Sequence, residues 1–344
     1  MAYISFQPSD YFNTKLYTGN GSTNAITSVG FEPSWTWIKN RGDTHAHVLV
    51  DAVRGVTKEL RSSGTNAEIT TSNSFTSFDS DGFTLGADST DSYNKNTNNY
   101  VSWNWLANGA GSSNTDGSIT STVSANTTAG FSIVKWTGTG ASATVGHGLG
   151  VTPDMIICKN LDGTAEDWVV WNNSFSASQF IRLNTTASVA TSTGMWDNTL
   201  PTSSVFSLKN EEKNNNTGQD IISYCFAEKK GFSKFGSYVG NGNADGTFIY
   251  TGFKPALLIR KRTDATNDWY INDNKRAGYN PQNDYLFPNS TQAESALQRF
   301  DLLSNGFKIR TTDGGDNASG GTYIYMAFSE ESIVSSNGVP ATAR

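Results

Sequence analysis

The chain has little of several things, and each shortage excludes a class. Of 344 residues, two are cysteine, three histidine, four methionine and eight proline, and charged side chains make up only 16%. Two cysteines cannot supply a disulfide framework. Cys158 and Cys225 each stand inside an apolar, β-branched or aromatic run, which predicts buried free thiols. No apolar run reaches the length of a membrane span, and Met1-Ala2-Tyr3-Ile4-Ser5-Phe6 has neither the basic nor the apolar part of a secretory leader. The expectation is therefore no membrane insertion, with synthesis and retention in a cytosol until something releases the protein. Net charge is −6, from 25 basic and 31 acidic residues without any block of one sign, so the basic footprint of a nucleic-acid binder is missing. Scarce Glu and Lys also disfavour long solvated helices.

Catalytic signatures are scarce too. There is no Gly-x-Ser-x-Gly elbow and no Gly-Lys-Ser/Thr phosphate loop, and Gly146-His147-Gly148-Leu149-Gly150 lacks the strand-to-helix setting of a dinucleotide turn. His45 and His47 share one face of an extended segment, yet a metal site needs a third ligand, and His147 falls more than 90 residues away. Asp79-Ser80-Asp81-Gly82 resembles part of a calcium loop but reads better as a turn between strands, because Asn305-Gly306 recurs in the same context. The expectation is no enzyme, no cofactor and no metal.

What is abundant is glycine (33 residues), aromatics (12%) and a threefold recurrence. Gly30-Phe31-Glu32-Pro33 leads into Trp35-Thr36-Trp37-Ile38-Lys39-Asn40. Gly150-Val151-Thr152-Pro153 leads into Met155-Ile156-Ile157-Cys158-Lys159-Asn160, and Gly252-Phe253-Lys254-Pro255 into Leu257-Leu258-Ile259-Arg260-Lys261. Glycine and proline set a tight turn, and the apolar run after it reads as a strand with a polar exit. Upstream each copy has an aromatic and a glycine turn: Tyr17-Thr18-Gly19, Trp136-Thr137-Gly138 and Tyr238-Val239-Gly240. Downstream come Gly82-Phe83-Thr84-Leu85, Val205-Phe206-Ser207-Leu208 and Gly306-Phe307-Lys308-Ile309, then an aromatic strand at Tyr100–Trp105, Ile222–Ala227 and Tyr323–Phe328. The turn prolines lie 120 and then 102 residues apart, a period of repeated domains rather than solenoid units.

The fold expected is all-β, with three repeated antiparallel β-sandwich (jelly-roll or lectin-like) domains. The boundaries are 1–107 with an N-terminal arm, a flexible linker at 108–117, 118–230, 231–330, and a tail at 331–344. Thr291 with Glu294 fits a capping box ahead of Ala296, Leu297 and Phe300, which predicts two turns of helix. Trp168 and Trp171 flank two valines. Most tryptophans here belong in a core, but these two are the candidates for a stacking surface toward sugar or protein. Phe6, Tyr11 and Phe12 lie on an arm too short to be a domain, and Ile333, Val334 and Val339 on the tail. Such apolar ends are expected to dock on another surface, a neighbouring copy or the chain's own domains.

Several phrases resemble an uncharacterised family of marine bacteriophage virion proteins, tail-fibre-like or structural. They include Leu16-Tyr17-Thr18-Gly19-Asn20-Gly21-Ser22-Thr23, Val29–Arg41, Tyr100–Trp105 and Ser124–Phe131. Gly146–Gly150, Phe232–Tyr238 and the ending Val339-Pro340-Ala341-Thr342-Ala343-Arg344 belong with them. The resemblance implies a non-enzymatic virion protein assembled in the host cytoplasm, in a tail fibre or tail-associated appendage engaging the host surface. A capsid decoration or head-fibre protein and a virion glycan depolymerase are the alternatives. It further implies other virion proteins as partners, a homotrimer, and a host surface glycan as ligand.

Overall fold

The structure, a computed structural model, describes residues 7–163 and 166–331. It is all-β with antiparallel sheets, and among the described residues its helical pieces are single turns, the 3-10 turn Pro8–Asp10 and the α-helical turns Glu212–Asn215 and Gly314–Asn317. The threefold recurrence is present in the strand order. Three opening strands, Phe12–Thr18, Phe131–Thr137 and Ser233–Val239, each pair with the strand that closes the same block, Asn99–Trp105, Asp220–Phe226 and Thr322–Phe328. Each closing strand then pairs with the strand that follows the turn proline, Trp35–Asn40, Met155–Asn160 and Leu257–Arg262. The fourth strand of each large sheet comes next, Val48–Asp51, Val169–Asn172 and Trp269–Asp273. Register makes Pro33, Pro153 and Pro255 equivalent, since each lies two residues before the first residue paired to the fourth strand.

Alternation of side chains explains how these sheets are covered on both faces. Along Trp35–Asn40 the even positions face the block's own small sheet, where Ile38, Val48 and Val50 meet Ile26, Phe75, Phe83 and Leu85. Block 3 repeats this with Leu258, Tyr325 and Ala327 against Ile249, Phe300, Phe307 and Ile309. The odd positions, Trp35 and Trp37, face the other way into one core shared by all three blocks. In it Trp35 stacks on Tyr224 of block 2 at 4.3 Å, and Phe226 of block 2 meets Phe328 of block 3 at 5.8 Å. Phe12 of block 1 stacks on Phe328 at 5.3 Å. Each such buried aromatic removes enough apolar surface from water to contribute on the order of 2–3 kcal/mol before entropy.

Three expectations are corrected. Residues 295–303, read as the body of a capped helix, form the strand Ser295–Leu303, and Glu294 bonds Arg41 and Arg276 in place of a helix N-terminus. The 108–117 stretch is not a bare connection. Ser112–Asn114 pairs with Ser121–Asn126, which in turn covers the outer edge of the opening strand of block 2. Phe12 is no free arm residue, because it opens the edge strand Phe12–Thr18 and is fully buried in the chain's own core, while Tyr11 packs edge-on to Phe232. Phe6, Ile333, Val334 and Val339 lie outside the described residues.

Candidate functional site

Trp168 and Trp171 do not form a surface. Both are buried, and their indole N–H groups donate to the carbonyls of Arg61 and Ser176. The strand between them is covered on both faces, so residues of opposite direction are equally hidden. Nor do the chemically reactive residues converge. Cys158 and Cys225 are free and buried, and burial pushes both thiols up, Cys225 to about 12. His47 is buried beneath Trp37, whose Nε1 donates to His47 Nδ1 at 2.9 Å, and desolvation holds its pKa well below the ordinary value. His147 accepts from Leu149 N and lies 3.2 Å from the Thr202 carbonyl. Asp81 closes a turn by accepting from the amides of Ser28 and Gly30. Among the described residues, no three His, Cys, Asp or Glu side chains stand together as a metal site would need.

The unusual polar side chains instead sit where the blocks meet, and they meet cyclically. Glu68 N donates to Leu161 O at 2.7 Å, Val189 N to Thr263 O at 2.9 Å, and Glu294 N to Arg41 O at 2.9 Å. Those three bonds are equivalent and run from block 1 to 2, 2 to 3 and 3 back to 1. At one equivalent position at the start of the fourth strand, Trp168 reaches back to Arg61 O and Trp269 to Arg182 O, and His47 lies against the Phe287 carbonyl. Lys159 Nζ donates to Thr65 O and Lys261 Nζ to Thr186 O, again one block back. Lys39 is their equivalent, and Glu294 of block 3 is among the charges acting on it. Burial pushes all three ammonium groups down to about 8.

A second ring shows the same logic with one member altered. Tyr224 OH donates to Asp51, which also holds Arg54, and Trp103 Nε1 donates to Asp273, which also holds Arg276. At the third junction the equivalents are Met326, Asn172 and Phe175, so the charge pair and its donor are replaced together by neutral groups. These buried polar clusters serve register and closure.

The concavities among the described residues include three of note. One of about 500 Å³ runs between blocks 2 and 3, along Phe175, Gln179, Val189, Val239 and Thr322. One of about 360 Å³ lies beside Thr14, Leu16 and Lys275, the corresponding place between blocks 3 and 1. Both run beside an opening strand that, unlike that of block 2, has no strand on its outer edge among the described residues. The third, again about 500 Å³, lies within block 3 under Tyr279, a ring 78% exposed. Block 3 also exposes Phe248 and Tyr250 on one strand face, where the equivalent positions hold Ala25 and Thr27 in block 1 and Thr144 and Gly146 in block 2. Tyr279, Phe248 and Tyr250 escaped the sequence reading, which weighted tryptophan. For Phe248 and Tyr250 the available signal was the comparison of each block with its two siblings.

No curated protein and no solved structure matches the chain. Residues 7–332 match one family, described as a domain of unknown function, over nearly the whole sequence. The chain therefore belongs to the DUF7483 family.

Proposed function

We propose that this protein is a non-enzymatic structural component of a bacteriophage virion, in a tail fibre or tail-associated appendage that engages the host surface. The observation that carries the reading is the cyclic closure, in which the buried lysines, the arginine–aspartate pairs and the histidine are taken up in holding blocks together. Groups with perturbed settings usually mark reactive sites, and here they are committed to architecture. The resemblance of the Gly-Pro and aromatic phrases to phage virion proteins supports the same reading. The finer architecture belongs to it as well: three jelly-roll or lectin-like sandwiches over 1–107, 118–230 and 231–330. Its partners are other virion proteins, further copies of the chain and a host surface glycan. Among the described residues no strand pairs with the outer edges of Phe12–Thr18, where Glu330 accepts from Thr14 N, and of Ser233–Val239, and such edges are surfaces of the kind that assembly uses.

Immunogold labelling of intact particles with antibody to the purified chain tests this. Label on tail structures is the expected result. Label confined to the head moves the protein to capsid decoration, and particles without label overturn a virion role.

A further inference from the structure

The cavity within block 3 is not a product of the repeat. Arg54 and Arg61 are seven positions apart in block 1, as are Phe175 and Arg182 in block 2, but their equivalents Arg276 and Phe287 are eleven apart. The extra length includes Gly278-Tyr279-Asn280, which forms one wall of the cavity. That wall is pinned. Asn280 Nδ2 donates to Leu302 O at 2.7 Å while its Oδ1 accepts from Leu302 N at 2.9 Å. A loop fixed to a strand presents its side chains without the ordering cost that a free loop pays on binding.

The lining defines what fits. Asn274 Oδ1 and Gln282 Oε1 are shielded from solvent and have no hydrogen-bond partner among the described residues, although Gln282 Nε2 donates to Tyr279 O at 3.2 Å. Both residues line the cavity, and a hydroxyl donor that reaches either oxygen would satisfy it. Tyr279 offers an exposed aromatic face and Leu302 an apolar floor, which suit the C–H face of a sugar ring. Lys254 adds a cation with no ion-pair partner among the described residues, at a position held by Glu32 and Thr152 in the other blocks. Among the described residues no carboxylate lines the cavity, so the paired acids of glycoside cleavage are not among them.

We propose that this cavity binds an acidic pyranose, a uronate residue of a saccharide. Its hydroxyls donate to Asn274 and Gln282, its ring stacks on Tyr279, and its carboxylate meets Lys254. The cavity holds the sugar and does not cleave it. The inference rests on the reading above only for the source of the sugar, a host surface polysaccharide.

Titration calorimetry of the full chain with tetragalacturonate and with maltotetraose tests it. Tetragalacturonate is expected to bind at millimolar or better affinity, and the neutral oligomer about fivefold or more weakly. Tyr279→Ala is expected to lower the affinity about tenfold, and Lys254→Met to abolish the acid preference, both without a change in melting temperature. No binding of either oligomer, or binding that survives Tyr279→Ala, overturns the site. Equal binding of the two oligomers by the unaltered chain overturns the uronate assignment. Labelling of particles and sugar binding by the purified chain can fail separately, so each reading is judged by its own result.

Discussion

At the scale of single residues, the molecule is most distinctive in its three equivalent buried lysines. Lys39, Lys159 and Lys261 are fully covered, and each ammonium is pushed down to about 8 because burial disfavours its charge more than nearby carboxylates restore it. The sign of the consequence follows from proton counting. Between about pH 8 and the ordinary lysine value of 10.5, the unfolded chain holds more protons than the folded one, so stability rises with pH in that window. Below pH 8 both states are charged and the burial penalty is present in full. The two cysteines oppose this above about pH 9, because their folded pKa values are raised and the unfolded thiols ionise first. The clean interval is therefore pH 8 to 9. There the urea midpoint of the native chain is expected to climb, with each lysine contributing up to about 1 kcal/mol per pH unit. Lys159→Met is expected to show a shallower climb. A midpoint that falls across this interval in the native chain, or a variant with the native slope, refutes the assignment.

At the scale of elements, the recurrent glycine turn shows why one residue type returns three times. Gly19, Gly138 and Gly240 follow the three opening strands, and a Cβ at any of them would run into a backbone carbonyl, of Lys95, Asn216 and Ala318 respectively. The opposing segment is held close by Asn94, Asn215 and Asn317. Each of these accepts from the turn backbone with its oxygen and donates to two or more carbonyls with its nitrogen. Gly138→Ala must therefore separate two clamped segments, and is expected to cost about 2 kcal/mol or more by chemical denaturation. Gly218→Ala is the contrast. Its φ is +73° but nothing lies within 4 Å, so only the backbone penalty of about 1 kcal/mol applies. If the two cost the same, close approach is not what fixes Gly138. Recurrence of this kind was legible without coordinates, as were the turn prolines and the strands that follow them. The strand Ser295–Leu303 was not, because Thr291 and Glu294 mimic a capping box while Glu294 in fact answers two arginines from outside its own element. Trp168 misled for a related reason: the carbonyl that takes its indole N–H, that of Arg61, comes from another block, and a local window does not contain it. The block 3 cavity was hidden because Tyr279 lies in a stretch without siblings to compare.

At the scale of the whole molecule, closure makes the three blocks mutually dependent. The large-sheet faces carrying Trp35, Tyr224 and Phe328 are buried by one another, so removal of a block would expose apolar surface on the two that remain. The ring is heterologous, each block meeting the next through a different surface, and three such contacts return to the start within one chain. A trimer of identical chains would normally supply this symmetry. Here covalent continuity supplies it, and the central faces are buried within the one chain. A shared core predicts shared melting. Scanning calorimetry of the full chain is expected to give a single transition with a calorimetric to van't Hoff enthalpy ratio near 1. Arg41 joins block 1 to Glu294 of block 3 at 2.6 Å, with both side chains largely shielded. Arg41→Met should therefore lower that one transition and leave it single, at a cost of about 1–3 kcal/mol. Three resolved transitions, or the early melting of one block in the variant while the other two persist, would mean that the blocks fold as independent domains and that the ring only brings them into contact.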